Sequence, residues 1–148
     1  MSKNPEYLFV YGTLLSVIGH PMGQYLGDNA PLFGSGTVQG ILYDLGEYPG
    51  LISSNHEKNQ VFGEIYQIYD TVTLLHRIDE YEGCAPSQRK PHLYERRKVS
   101  VRLTGEQDIM AWTYFYTGNL IAKKRIKNGD YIAHLNASSK RVRFIKVP

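Results

Sequence analysis

Apolar residues recur along this chain in two periods, and the changes between them divide it into elements. Residues 7–11, Tyr7-Leu8-Phe9-Val10-Tyr11, form an apolar run of aromatic and branched side chains ended by Gly12, the pattern of a buried strand. Gly12-Thr13-Leu14 then reads as a strand-end loop, and residues 16–28 as a short helix interrupted by Gly19 and Pro21. Within a glycine-rich extended stretch, residues 37–43 form a second strand, followed over residues 46–51 by a turn centred on Pro49-Gly50. Residues 61–69 alternate, with Val61, Gly63, Ile65 and Gln67 opposing Phe62, Glu64, Tyr66 and Ile68. After a loop over residues 86–91, residues 94–103 alternate again, and a turn over residues 104–108 leads into 109–116, whose two faces are both largely apolar. Several strands with one strong helix predict an α+β domain built as a curled sheet or barrel.

That helix spans residues 74–82, with Asp70 or Thr71 as its cap and Gly83 as its stop. At about 100° per residue, Leu74, Leu75, Ile78 and Tyr81 gather on one side. Glu82 falls inside the same arc, Glu80 points away and Asp79 stands at the edge of the stripe. A carboxylate aimed at a core next to the negative end of a helix has its pKa raised by both surroundings, which suits a general base near neutral pH. The alternatives are that the helix ends a turn earlier, or that Glu82 turns out to water or pairs with a nearby arginine. Glu64, another acid among apolar neighbours, is a secondary candidate, with a cross-strand pair as its plainer role.

Composition narrows the choice. The 148 residues, 42% hydrophobic, suffice for the core of one domain. No stretch is long and apolar enough for a signal peptide or a membrane span, so a soluble cytoplasmic protein is expected. Cys84 is the single cysteine, which excludes an internal disulfide and a thiolate metal cluster, and the five histidines show no paired spacing for a metal. Charge is uneven: residues 1–122 hold nine Lys/Arg against thirteen Asp/Glu, and residues 123–148 hold eight against one. The boundary expected from this is a domain over 1–122 and a basic extension over 123–148, partly packed or solvated. Contact of that tail with nucleic acid is the weaker reading, since Tyr131 and Phe144 are isolated and lack the interleaving of a single-strand binding surface.

Five segments, Tyr7-Leu8-Phe9-Val10-Tyr11-Gly12-Thr13-Leu14, Tyr48-Pro49-Gly50-Leu51, Val61-Phe62-Gly63-Glu64-Ile65-Tyr66, Ile78-Asp79-Glu80-Tyr81-Glu82-Gly83 and Tyr94-Glu95-Arg96, together resemble the gamma-glutamylcyclotransferase-like (AIG2-like) family in order and spacing. The resemblance runs over residues 7–116 and extends to Gly129-Asp130-Tyr131. It implies a small mixed-strand barrel with flanking helices and a cavity in which the loop Tyr11, Gly12, Thr13 and Leu14 holds a γ-glutamyl group. It further implies Glu82 as the catalytic acid/base, Tyr116 as an aromatic of the pocket, and cofactor-independent closure of a γ-glutamyl amine or dipeptide to 5-oxoproline. A small-molecule γ-glutamyl substrate is thus the partner expected, with no membrane and no metal. The rivals are a non-catalytic binding protein of the same fold, an enzyme using Cys84 with a histidine, and a nucleic-acid-associated protein acting through the tail. The leaving amine and the oligomeric state are left open.

Overall fold

The alternating segments become strands that close on one another. In the computed structural model, which describes residues 4–105 and 107–137, seven strands share one sheet: β1 (Glu6–Val10), β2 (Leu32–Asp44), β3 (Pro49–Ser53), β4 (Gln60–Ile68), β5 (Tyr94–Leu103), β6 (Asp108–Tyr116) and β7 (Lys124–Ile126). Strand β1 pairs antiparallel with β4, β4 with β2, β2 with β5, and β5 with β6. The ring closes where β1 runs parallel to β6, at Leu8 and Trp112. Strand β3 lies antiparallel to β2 and meets β6 in parallel at Leu51 and Phe115. Among the described residues three α-helices flank this closed mixed barrel: α1 (Pro21–Asn29), α2 (Thr71–Glu82) and α3 (Tyr131–Asn136). The α+β barrel expected from the alternation is the fold the chain adopts.

Its interior is filled by the inward positions of several strands, among them Leu8, Leu42, Leu51, Val61, Ile65, Val101, Ala111 and Phe115, all essentially inaccessible. Thr113 is buried among them because its hydroxyl donates to the Phe9 carbonyl at 2.9 Å, satisfying a polar group that would otherwise cost energy in the core. Leu74, Leu75 and Ile78 of α2 join the same core, as the helical stripe predicted.

Local boundaries differ where pairing overrides propensity. Strand β2 begins at Leu32, earlier than residue 37, because β4 pairs along it, with a register shift between Leu32 and Gly34. Pro49 and Gly50 begin β3 instead of centring the turn; the chain reverses just before them, where the Leu45 amide donates to the Tyr48 carbonyl at 3.0 Å. Proline is tolerated at the first position of a strand, where its missing N–H costs least. The interruption at Gly19 and Pro21 is a boundary: a single 3₁₀ turn over Ser16–Ile18 ends at Gly19, and Pro21 opens α1.

Part of the basic end belongs to the barrel. Strand β7 pairs with residues 42–44 of β2, and Tyr131 and Leu135 of α3 are buried in the core. Residues 138–148, including the cations Lys140, Arg141, Arg143 and Lys146, lie outside the described residues. Among the described residues no helix is long and apolar enough to cross a membrane.

Candidate active site

At one end of the barrel a cavity of about 220 Å³ opens between the end of β1, the start of β3, the start of β5 and the last turn of α2. Its wall contains Tyr11, Gly12, Thr13 and Leu14 together with Tyr81 and Glu82. Caps at both ends of α2 determine where Glu82 stands. The Asp70 side chain accepts from the Thr73 amide at 3.3 Å, and Gly83, at φ 79°, turns the chain so that its own amide and that of Cys84 donate to the carbonyls of Glu80 and Asp79. A side chain at that positive φ would be strained, so glycine ends the helix one residue after the acid.

The Glu82 carboxylate has no hydrogen bond or ion pair among the described residues. Burial, and after it the charge of Asp79 one turn earlier on α2, push its pKa up to about 8. Of the three acids in this turn, however, Asp79 is the one packed most deeply, not at the edge of the stripe. It tolerates burial because Arg96 of β5 grips both its oxygens, at 2.7 and 3.1 Å, and the Tyr114 hydroxyl donates to it at 2.6 Å. The Arg96 guanidinium in turn lies 4.4 Å from the centre of the Trp112 ring.

The loop over residues 11–14 is shaped by contact with β3. A Cβ on Gly12 would stand 2.6 and 2.8 Å from Cγ and Cδ of Pro49, so only glycine lets the two segments meet this closely. The Gly12 carbonyl accepts from the Leu15 amide at 3.0 Å, while no partner among the described residues takes up the amides of Gly12, Thr13 or Leu14. The Thr13 hydroxyl shares a hydrogen bond of 2.8 Å with the Tyr81 hydroxyl. Glu64 does not line the cavity: its carboxylate accepts from the amide and hydroxyl of Ser16 at 2.9 and 2.7 Å, anchoring the far end of this loop from β4.

Tyrosines form the remaining wall, and their hydroxyls are largely committed. The Tyr11 hydroxyl donates to the Tyr114 carbonyl at 2.7 Å and accepts from the Leu51 amide at 3.2 Å, tying β1 to β6 and β3. Tyr94 donates to the Pro49 carbonyl at 2.8 Å. Burial, its largest cause, raises the pKa of Tyr11, Tyr94 and Tyr114, so all three stay neutral donors. Tyr116 stands outside this wall, its ring 5.6 Å edge-on from that of Tyr94 and its hydroxyl donating to the Asn119 carbonyl at 3.2 Å. The aromatic that β6 contributes to the cavity is Tyr114, two residues earlier on the same strand face. Tyr114, Asp79 and Arg96 are the members that periodicity missed; the cations on β5 were visible, but only the register Arg96 to Tyr114 shows which acid they meet.

Behind Asp79 a second depression holds Cys84 and His92. Burial, with Asp79 and Glu82 adding to it, pushes the Cys84 thiol up to about 12, so it is no thiolate at neutral pH and a poor nucleophile. His92 is engaged with the Gln88 carbonyl at 3.2 Å. Among the described residues no three His, Cys, Asp or Glu side chains are grouped to hold a metal ion.

Comparison with known proteins shows the family and the fold. Residues 8–133 match the family described as Gamma-glutamyl cyclotransferase, AIG2-like. A protein of Methanocaldococcus jannaschii provisionally named as a gamma-glutamylcyclotransferase is 32% identical over 126 residues, covering 85% of this chain and 95% of its own. The solution structure of ytfP from Escherichia coli superposes with a TM-score of 0.59 at 26% identity, over 86% of this chain and 97% of that one. The crystal structure of YkqA from Bacillus subtilis gives 0.68 at 22% identity over 92% of this chain, which spans only 43% of the YkqA chain.

Proposed function

Because the chain belongs to the gamma-glutamyl cyclotransferase, AIG2-like family, we propose that it closes a γ-glutamyl amine or dipeptide to 5-oxoproline with release of the amine. The observation that carries this reading is Glu82: an unpaired, largely buried carboxyl with its pKa near neutral, facing a glycine loop whose amides are unused.

The roles follow from the chemistry. The amides of Gly12, Thr13 and Leu14 suit the substrate's α-carboxylate, since consecutive backbone N–H groups at a bend cradle an anion. The α-ammonium is then directed at Glu82. In its carboxylate form Glu82 takes a proton from the ammonium, and the freed amine attacks the γ-carbonyl, forming the ring C–N bond and a tetrahedral oxyanion. As that intermediate collapses, the original amide C–N bond breaks and the leaving nitrogen takes the proton back from Glu82; the ring nitrogen, left with two hydrogens by the attack, gives one to Glu82 and through it to the departing amine, so that the products are the neutral lactam and an ammonium. The reaction needs no oxidant and no co-substrate. A tethered nucleophile gains rate chiefly from being held in the folded-back conformation, and Glu82 handles the protons.

Incubating the protein with a broad panel of γ-glutamyl amines and dipeptides should release 5-oxoproline from some members. Absence of product across the panel would favour a binding protein of the same fold. A second expectation concerns the loop: Gly12→Ala forces the cradle away from Pro49 and should lower kcat/KM by about 10²-fold, because a shift near 1 Å misplaces the reacting groups. Its fold should survive at a cost of about 1–3 kcal/mol, the range for a small overpacking. Unchanged kinetics in Gly12→Ala would mean the loop does not hold the substrate.

A further inference from the structure

Part of the positive charge of the basic end is displayed by the barrel itself. With Ile126 of β7 opposite Leu42 of β2 and buried, its neighbours Arg125 and Lys127 turn outward and are exposed. They line a surface depression of about 290 Å³ together with Lys58 and Asn59, which precede β4, and Phe62 of β4. The Asn59 side-chain oxygen accepts from Nη2 of Arg125 at 2.7 Å, which fixes the guanidinium beside the depression. The Phe62 amide donates to the Gly129 carbonyl at 2.9 Å, tying β4 to the segment after β7, while the Phe62 ring stays 49% exposed next to buried Val61.

No acid among the described residues pairs with Lys58, Arg125 or Lys127. Asp130 is used to cap α3 through the Ala133 amide at 3.1 Å, and Asp44 holds His134 at 2.8 Å. Residues 138–148 supply no side-chain counter-charge whatever their placement, since they carry four cations and no acid. Like charges kept together on one face repel one another, and a polyanion relieves that repulsion while releasing its own counterions.

We propose that this depression binds single-stranded nucleic acid, one base stacking on Phe62 and the phosphates beside it neutralised by Lys58, Arg125 and Lys127. The aromatic that residues 123–148 do not interleave with their cations comes from β4, through the pairing of distant segments. A single strand uses the cations and the open ring face together. A duplex keeps its bases stacked on one another, and a flat anionic bilayer does not enter a depression. Because every base has a π-face, the binding is sequence-tolerant.

The test is fluorescence anisotropy of the full-length protein with labelled oligouridylate and oligothymidylate of about 12 nucleotides, within the usual span of a single-strand site. Either strand should bind with an affinity that falls steeply with salt, and the tighter of the two identifies RNA or DNA as the ligand. Replacing all three cations (Lys58→Gln, Arg125→Gln, Lys127→Gln) should weaken binding and reduce the slope of log K against log salt by about 2, at roughly 0.7 per phosphate contact. Phe62→Leu should weaken binding by about 5 to 100-fold, the value of one stacked base, and leave the salt slope unchanged. Both sets of residues are exposed, so circular dichroism and melting should match the wild-type protein. The inference is overturned if neither oligonucleotide binds, if a duplex of the same length binds as tightly, or if only phosphatidylglycerol vesicles bind. It is equally overturned if either variant keeps wild-type affinity, an outcome that moves the contact off this face.

Discussion

Glu82→Gln should lower the rate of 5-oxoproline release by about 10²–10⁴-fold, the usual contribution of a positioned acid/base, while leaving the barrel folded. Glutamine has nearly the same shape and fills the same place at the end of α2, but it takes no proton from an ammonium. The loss should fall on kcat more than on KM, since the amides of the Gly12 loop are untouched. Retained turnover would sink the mechanism.

The same substitution has a thermodynamic signature that reports the burial of the carboxyl. The carboxyl titrates near 4.5 when unfolded and at about 8 when folded. Between those values the native state holds a proton that the unfolded chain has released, so stability is full below about pH 4.5 and declines as pH rises to about 8, then levels. Glu82→Gln removes this dependence. Relative to wild type the variant should gain roughly 2–4 kcal/mol at pH 8 and above, after discounting for the open mouth of the cavity. Urea titrations at pH 5 and pH 9 measure it. Parallel pH profiles for the two proteins would show that Glu82 is not held protonated by its surroundings.

The second large effect belongs to the pair behind the acid. Arg96→Met should destabilise the protein by about 2–4 kcal/mol, somewhat below the usual range for breaking a buried ion pair because the Arg96 side chain keeps 24% of its surface in solvent. For a chain of this size that is a fall in Tm of about 5–15 °C. Asp79 is then left with the Tyr114 hydroxyl alone beside a second carboxyl. Adding Asp79→Asn should recover part of the loss, because it removes the stranded charge. A double variant no more stable than Arg96→Met would mean that Arg96 acts through its stacking on Trp112 and not through Asp79.

Part of the candidate site is legible in the sequence. Glu82 stood out because helical periodicity places it among apolar positions, and Gly83 dates the end of the helix to the next residue. The loop at Gly12 was legible as a break after an apolar run. Glu64 misled for a reason built into strands: alternation says which face a residue occupies but not whether its long side chain reaches back over the edge, as this one does to Ser16. Tyr116 misled similarly, since the face it shares with Tyr114 is common to both, and only the depth of the cavity along β6 separates them.

What the sequence determined alone is local and periodic: strands by alternation, α2 by its stripe and caps, and an acid at a helix end that needed an explanation. Tertiary structure decided whatever depends on register between distant segments. Arg96 meets Tyr114 and Asp79 across strand and helix, Pro49 presses on Gly12, and residues 124–126 of the basic end pair with β2. The physical reason is that periodicity records which side of an element faces the core, whereas the energy of a buried charge or a close glycine contact depends on which partner the closed barrel brings opposite.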